Sequence, residues 1–140
     1  QIGAYIHAGG RIGVLVEVNC ESDFVARTAD FQALVKELAM QIAAADPKYV
    51  RREDVPAEEI DQERAIYRAQ VASTGKPAKV IDKIVEGKLT AYYERVVLVD
   101  QPSIRDTKVK VSDLVAETAA KVGENVTISR FARFKVGEGA

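Results

Sequence analysis

Residues Arg11 to Cys20 alternate with a period of two: Ile12, Val14, Val16 and Val18 fall on one side, and Gly13, Leu15, Glu17 and Asn19 on the other. Only an extended strand separates two such sets, because successive strand side chains point to opposite faces. The preceding segment, Gly3 to His7, is also strand-like, and Ala8-Gly9-Gly10 lies between the two. Adjacent glycines accept the positive φ that tight hairpin turns require, so the spacing predicts a β-hairpin at the start of the chain.

The period then changes. Phe31, Leu34, Val35, Leu38, Ala39 and Ile42 recur at helical spacing, with Asp30 placed to cap the helix and Asp46-Pro47 to end it. A second helix is expected from about Pro56 to Thr74-Gly75, with Ile60, Tyr67 and Val71 as its inner stripe. Gly75-Lys76-Pro77 reads as a turn, and Pro77 suits the first turn of a third helix. The apolar face of that helix is Val80, Ile81, Ile84, Val85, Leu89 and Tyr92. After a polar connection from Ser103 to Val109, a last helix is predicted with Ser112 as its N-cap. Leu114, Val115, Ala119 and Val122 form its stripe, and Gly123 is its stop.

Alternation returns over Val126 to Val136, with Ile128, Ala132, Phe134 and Val136 assigned to one side and Thr127, Ser129, Phe131, Arg133 and Lys135 to the other. This third strand has only the N-terminal hairpin to pair with. The expected fold is therefore α+β: a three-stranded antiparallel sheet built from the two chain ends, packed with the intervening helices. The sequence shows no internal repeat and no low-complexity segment.

Composition narrows the function classes. With 140 residues, 47% of them hydrophobic, the chain can bury one core, and residues 1–140 read as one domain. The 20 basic and 21 acidic residues nearly cancel, which argues against a general nucleic-acid binder. A single cysteine excludes an internal disulfide and fits a reducing compartment. The longest purely aliphatic run, Val96 to Val99, falls far short of the roughly 20 apolar residues a membrane-spanning helix needs. No secretory signal or Arg-rich leader stands at the start, and because the chain opens on Gln1 without an initiator Met, a trimmed or partial chain is expected.

Candidate chemistry is sparse. His7 and Cys20, the only residues of their kinds, both fall on the predicted hairpin, so a Cys/His nucleophile pair is one reading. Cys20 also ends the stripe of Val14, Val16 and Val18, where a small buried hydrophobe is the simpler role. His7, beside the glycine turn, reads as a structural or contact residue. The acidic residues show no metal-ligand spacing, and Ala8-Gly9-Gly10-Arg11 lacks the ending of a phosphate loop. No catalytic residue, metal or cofactor is expected.

The run Glu21-Ser22-Asp23-Phe24-Val25-Ala26 is different, setting an aromatic beside an acid at a strand-to-helix junction. In one reading Ser22 or Asp23 caps a helical turn while Phe24 packs inward. In the other, Phe24 stays exposed as an anchor and Asp23 orients a partner through hydrogen bonds. The residues alone leave both open.

The stretch from Arg11 to Arg27, RIGVLVEVNCESDFVAR, resembles the core signature of the elongation factor Ts family. Leu38 to Ala44, Asp100-Gln101-Pro102, Val122 to Val126 and Arg130 to Phe134 extend the resemblance over essentially the whole chain. It implies a guanine-nucleotide exchange factor for elongation factor Tu, the GTPase that delivers aminoacyl-tRNA to the ribosome. Asp23 and Phe24 would be the wedge that enters beside the GTPase switch region and displaces what holds the magnesium ion and phosphates. Glu21, Ser22, Val25 and Ala26 would support it, and His7 is a possible further contact. Ser22 stands where Thr is commoner in the family; either can cap a helix.

The resemblance is to the short members, which carry one core module and form homodimers through the sheet. Ile128, Ala132 and Phe134 are the candidate dimer face, and with no cysteine among them that dimer would be non-covalent. The family's amino-terminal three-helix domain has no counterpart in this sequence. The implied setting is the bacterial cytoplasm, or an organellar matrix or stroma, without membrane or direct nucleic-acid contact. The alternative function is a structural or binding subunit of the same fold in a ribosome-associated or replicase-type assembly.

Overall fold

The computed structural model describes residues 1–139. Strand β1 (Ile2–Ile6) and strand β2 (Ile12–Asn19) form the expected hairpin, in a register running from Ile2 opposite Glu17 to Ile6 opposite Gly13. Gly9 and Gly10 take φ of 94° and 70° at the turn, where an L side chain would be strained. Strand β3 (Thr127–Lys135) lies antiparallel on the other side of β2, giving the order β1-β2-β3. Val14, Val16 and Val18 point into the core, as their alternation predicts, while Leu15 faces out.

Strand β3 departs from its predicted faces. Glu17 pairs with Arg130 but the next residue, Val18, pairs with Ile128, so Ser129 is an extra residue in the strand. One inserted residue reverses the alternation beyond it. Ile128 is therefore 3% exposed inside the core, and Phe131 packs against that same core. Ala132 and Phe134, opposite Leu15 and Gly13, stand on the outer face. Ile128, Ala132 and Phe134 do not share a face, and Ile128 is spent on this chain's own interior.

The inner face of the sheet is covered by helix α2 (Ala29–Ala45), and α5 (Val111–Val122) packs against α2; a short helical turn, α1 (Asp23–Ala26), precedes α2. Phe31, Leu34, Val35, Leu38, Ala39 and Ile42 are all buried, matching the predicted stripe. At Gly3 a Cβ would meet Val35 Cγ1 at 2.3 Å, so only glycine lets β1 approach α2 this closely. Two caps differ from expectation. Thr28, not Asp30, caps α2, its Oγ1 accepting from the Phe31 amide at 3.3 Å; Asp30 sits in the first turn, where its charge suits the helix N-terminus. Lys110 occupies the N-cap of α5 in extended conformation, its amide donating to Asp113 at 3.1 Å, so Ser112 lies within the helix. Asp46 (φ 49°) ends α2 before Pro47, and Gly123 (φ 72°) ends α5.

Helices α3 (Ala57–Ala72) and α4 (Ala78–Val96) pack against each other as an antiparallel hairpin. Val71, Val85 and Leu89 are buried; Ile60, Tyr67, Ile81, Ile84 and Tyr92 are half-buried, and Val80 is exposed near the tip. Beyond α4 the chain is anchored by buried amides. Gln41 Nε2 donates to Gln101 Oε1 and to the Pro102 carbonyl, each at 3.1 Å, and Gln101 Nε2 donates to the Arg95 carbonyl at 2.7 Å. These buried polar groups are satisfied, which is what their burial requires.

The root of the hairpin is a carboxylate between two phenols. Glu59 accepts from Tyr49 Oη at 2.6 Å and also from Tyr92 Oη. The Glu59 hydrogen bond, then burial, raises the Tyr49 pKa; burial first, then Glu59, raises that of Tyr92; burial, then Glu63, raises that of Tyr67. A phenol that holds its proton more tightly when folded contributes stability that is complete below the unfolded pKa of about 10 and is lost as pH rises through the folded value. An ultraviolet absorbance titration should show three of the five tyrosines ionising late. The thermal midpoint should fall as pH passes about 10, and by less in Tyr92→Phe.

Candidate partner-binding site

Beyond Asn19 the chain leaves the sheet and turns at once into α1. Ser22, extended at φ −138° and ψ 153°, is the N-cap: its Oγ accepts from the Val25 amide at 3.3 Å. Of the two candidate caps, Ser22 does the work, and Asp23 is the first helical residue. Val25 anchors the turn from below, 4% exposed in the main core, and Ala26 is half-buried against that core. The far side is held by Thr28 Oγ1, which donates to the Val25 carbonyl at 2.7 Å, and by Gln32 Nε2, which donates to the Ala26 carbonyl at 2.6 Å.

With Val25 turned in, Phe24 one position earlier is turned out. Its side chain is 79% exposed, and Asp23 beside it is exposed too. That answers the question the residues left open: Phe24 is not core. The ring stands in water on a turn fixed at both ends, so it does not serve to pack the core.

The turn is also tied to a distant part of the chain. The Glu124 carboxylate, just past the stop of α5, accepts from the amides of Glu21 and Ser22 at 3.0 Å each and from Ser22 Oγ at 2.6 Å. In return, Glu21 Oε2 accepts from the Asn125 amide at 3.2 Å. No local pattern marks Glu124 for this role; its only sign in the sequence is an acid directly after the helix-ending Gly123.

The remaining candidates lie elsewhere. His7 is exposed, with its Nδ1 2.9 Å from Tyr5 Oη, and lies opposite Ile12 at the glycine-turn end of the hairpin. Cys20 is half-buried past the other end of β2, its Sγ donating to the Ser22 carbonyl at 3.2 Å. The strand between them, at about 3.3 Å per residue, holds the two more than roughly 20 Å apart, so they form no nucleophile pair. Among the described residues no group of three or more His, Cys, Asp or Glu could hold a metal ion. Nor is any described helix long and apolar enough to cross a membrane.

On the outer face of the sheet, Ile2, Ile6, Leu15, Phe134 and Val136 are exposed, Phe134 by 74%, and Ala132 is half-buried. Glu17 and Arg130 close one end of this face with an ion pair at 3.0 Å. Hydrogen bonds from Asn19 and then from Arg130 hold the Glu17 carboxyl below its usual range.

A sequence model of the family described as Elongation factor TS matches residues 1–138. The chain belongs to the elongation factor Ts family. Elongation factor Ts of Koribacter versatilis is 60% identical over 138 residues, covering 99% of this chain and 63% of that protein. Elongation factor Ts of Heliobacterium modesticaldum is 56% identical over 138 residues, covering 99% of this chain and 64% of that protein. That of Caldanaerobacter subterraneus is 59% identical, and the chain spans 69% of it. The chain thus spans a little under two thirds of the first two relatives, and the exposed Asp23-Phe24 turn lies within the stretch shared with elongation factor Ts.

Proposed function

We propose that this elongation factor Ts module releases GDP from elongation factor Tu, using Asp23 and Phe24 as its wedge. The observation that carries the reading is the 79% exposure of Phe24 on a turn whose backbone is already hydrogen-bonded in place. An aromatic ring offers about 150–250 Å² of surface to bury on contact, and a turn that is ordered before binding loses little entropy when it docks. Asp23 presents a carboxylate beside the ring and supplies the directional contact. The ring enters near the magnesium and phosphate contacts of the GTPase and displaces the groups that hold them.

The thermodynamics is linkage. A partner that binds the nucleotide-free form more tightly than the GDP form weakens GDP by the same factor. This chain makes and breaks no bond in that process. Glu21 and Ser22 shape the turn, Val25 and Ala26 seat it, and His7 is a candidate second contact. The bacterial origin of the relatives supports the cytoplasm as the setting.

The same reading seats a second copy of the chain on the outer sheet face. Ile2, Ile6, Leu15, Phe134 and Val136 form an apolar patch that water alone covers in the single chain, and a sheet with two apolar faces is completed by a second layer. Ala132 and Phe134 belong to that patch and Ile128 does not.

Calorimetric titration of the chain into elongation factor Tu tests the function. Binding to the nucleotide-free GTPase is expected to be at least about tenfold tighter than to the GDP form, a difference of about 1.4 kcal/mol. Equal affinity for the two forms would overturn the reading, because a ligand with no preference shifts no equilibrium. No affinity for either form, with retention in a ribosomal or replicase assembly, would favour the structural-subunit alternative.

A further inference from the structure

We propose that Glu124 is the positioning residue of the exchange wedge, holding the turn that presents Asp23 and Phe24 without touching the GTPase itself. The inference rests on the wedge reading of Phe24 and adds to it a residue about a hundred positions away in the chain.

The geometry is specific. One Glu124 oxygen receives two successive backbone amides, Glu21 and Ser22, at 3.0 Å each. The other receives the Ser22 hydroxyl proton at 2.6 Å. Sending that proton to Glu124 leaves a lone pair of Ser22 Oγ for the Val25 amide at 3.3 Å, the bond that caps α1. Glu124 therefore fixes both the entry of the turn and the rotamer of its cap. Charge-assisted hydrogen bonds of this kind are about twice as strong as neutral ones.

The reciprocal bond from the Asn125 amide to Glu21 Oε2, at 3.2 Å, prevents the two segments from sliding past each other. Gly123, at φ 72°, is what turns the chain so that Glu124 faces the wedge instead of continuing α5. Val126, two residues past Glu124, is buried, so the clamp is mounted on the core.

Without Glu124 the two amides and the hydroxyl turn to solvent, and the segment carrying Phe24 samples other orientations. The wedge then enters the GTPase less often although its own side chains are unchanged. A residue that acts only through Phe24 has a defined signature: its effect disappears when Phe24 is absent.

The test is a double-mutant cycle on GDP release from elongation factor Tu, using Glu124→Ala, Phe24→Ala and both together, with amide hydrogen exchange on the free chain. Glu124→Ala is expected to slow catalysed release about tenfold alone and less than about twofold in the Phe24→Ala background. The Glu21 and Ser22 amides should lose protection while the amides of β2 keep theirs. Glu124→Gln retains the shape and one acceptor oxygen and should fall between wild type and Glu124→Ala, which keeps the inference testable if the alanine variant folds poorly. Equal slowing in both backgrounds, or unchanged release with Glu124→Ala, overturns the positioning role while leaving the wedge intact. Release unaffected by Phe24→Ala overturns the wedge reading itself, and the positioning role falls with it.

Discussion

Phe24→Ala should abolish most of the exchange activity while leaving the fold unchanged. An exposed aromatic that becomes the centre of an interface costs about 2–4 kcal/mol when truncated, which is a loss of roughly 30- to 1,000-fold in catalysed GDP release. The same change removes almost nothing from the folded chain, because the ring is 79% exposed and only its backbone is held. Surface substitutions of this kind shift stability by about 0.5 kcal/mol or less. Exchange and thermal midpoint measured on one preparation separate the two quantities. A midpoint that falls with activity would mean that the ring packs inward. Val25→Ala provides the contrast: it is 4% exposed within the core, so its truncation should lower the midpoint first.

The second large effect concerns the outer face of the sheet. On the proposed pairing of two copies through this face, Leu15→Glu combined with Phe134→Glu should leave a folded chain that does not self-associate. Leu15 and Phe134 are both exposed on the outer face of β2 and β3, so carboxylates there meet water in the single chain. Between two copies, each would have to be buried without a partner, at several kcal/mol per ion. A rise of at least about a hundredfold in the dimer dissociation constant is expected, read by sedimentation velocity over a concentration series. Ile128→Glu is the informative opposite. Ile128 lies in the core opposite Val18, so a charge there should unfold the chain rather than merely separate copies. A folded and monomeric Ile128→Glu would contradict the bulged register of β3.

That register shows where sequence reasoning reaches its limit. The alternation of Val14, Val16 and Val18 reads directly as a buried face because a strand has a period of two and nothing interrupts it. In β3 the same logic fails at one residue. Ser129 is inserted without a glycine or any other local marker, and the alternation reverses beyond it. The helix stripes were readable for the same reason as β2, the long regular run from Phe31 to Ile42 above all. The caps were not, because Thr28 and Asp30, or Lys110 and Ser112, stand two residues apart. Which one caps depends on where the chain enters the helix, not on its chemistry.

The site divides the same way. An acid and an aromatic at the end of a strand are visible in the sequence, and so is the serine that caps the turn. The outward placement of Phe24 follows from Val25 being drawn into the core and from the Glu124 carboxylate holding the backbone of Glu21 and Ser22. Those are contacts across the fold, between residues far apart in the chain, and no local pattern encodes them.

The central claim is that the clamped turn drives nucleotide release. It is tested most directly by following fluorescent GDP leaving preloaded elongation factor Tu, with wild-type chain and with Phe24→Ala, at equal concentrations. The account predicts release accelerated by at least about thirtyfold with wild type and close to the spontaneous rate with Phe24→Ala. Release at the spontaneous rate with both, or equal acceleration by both, would contradict it.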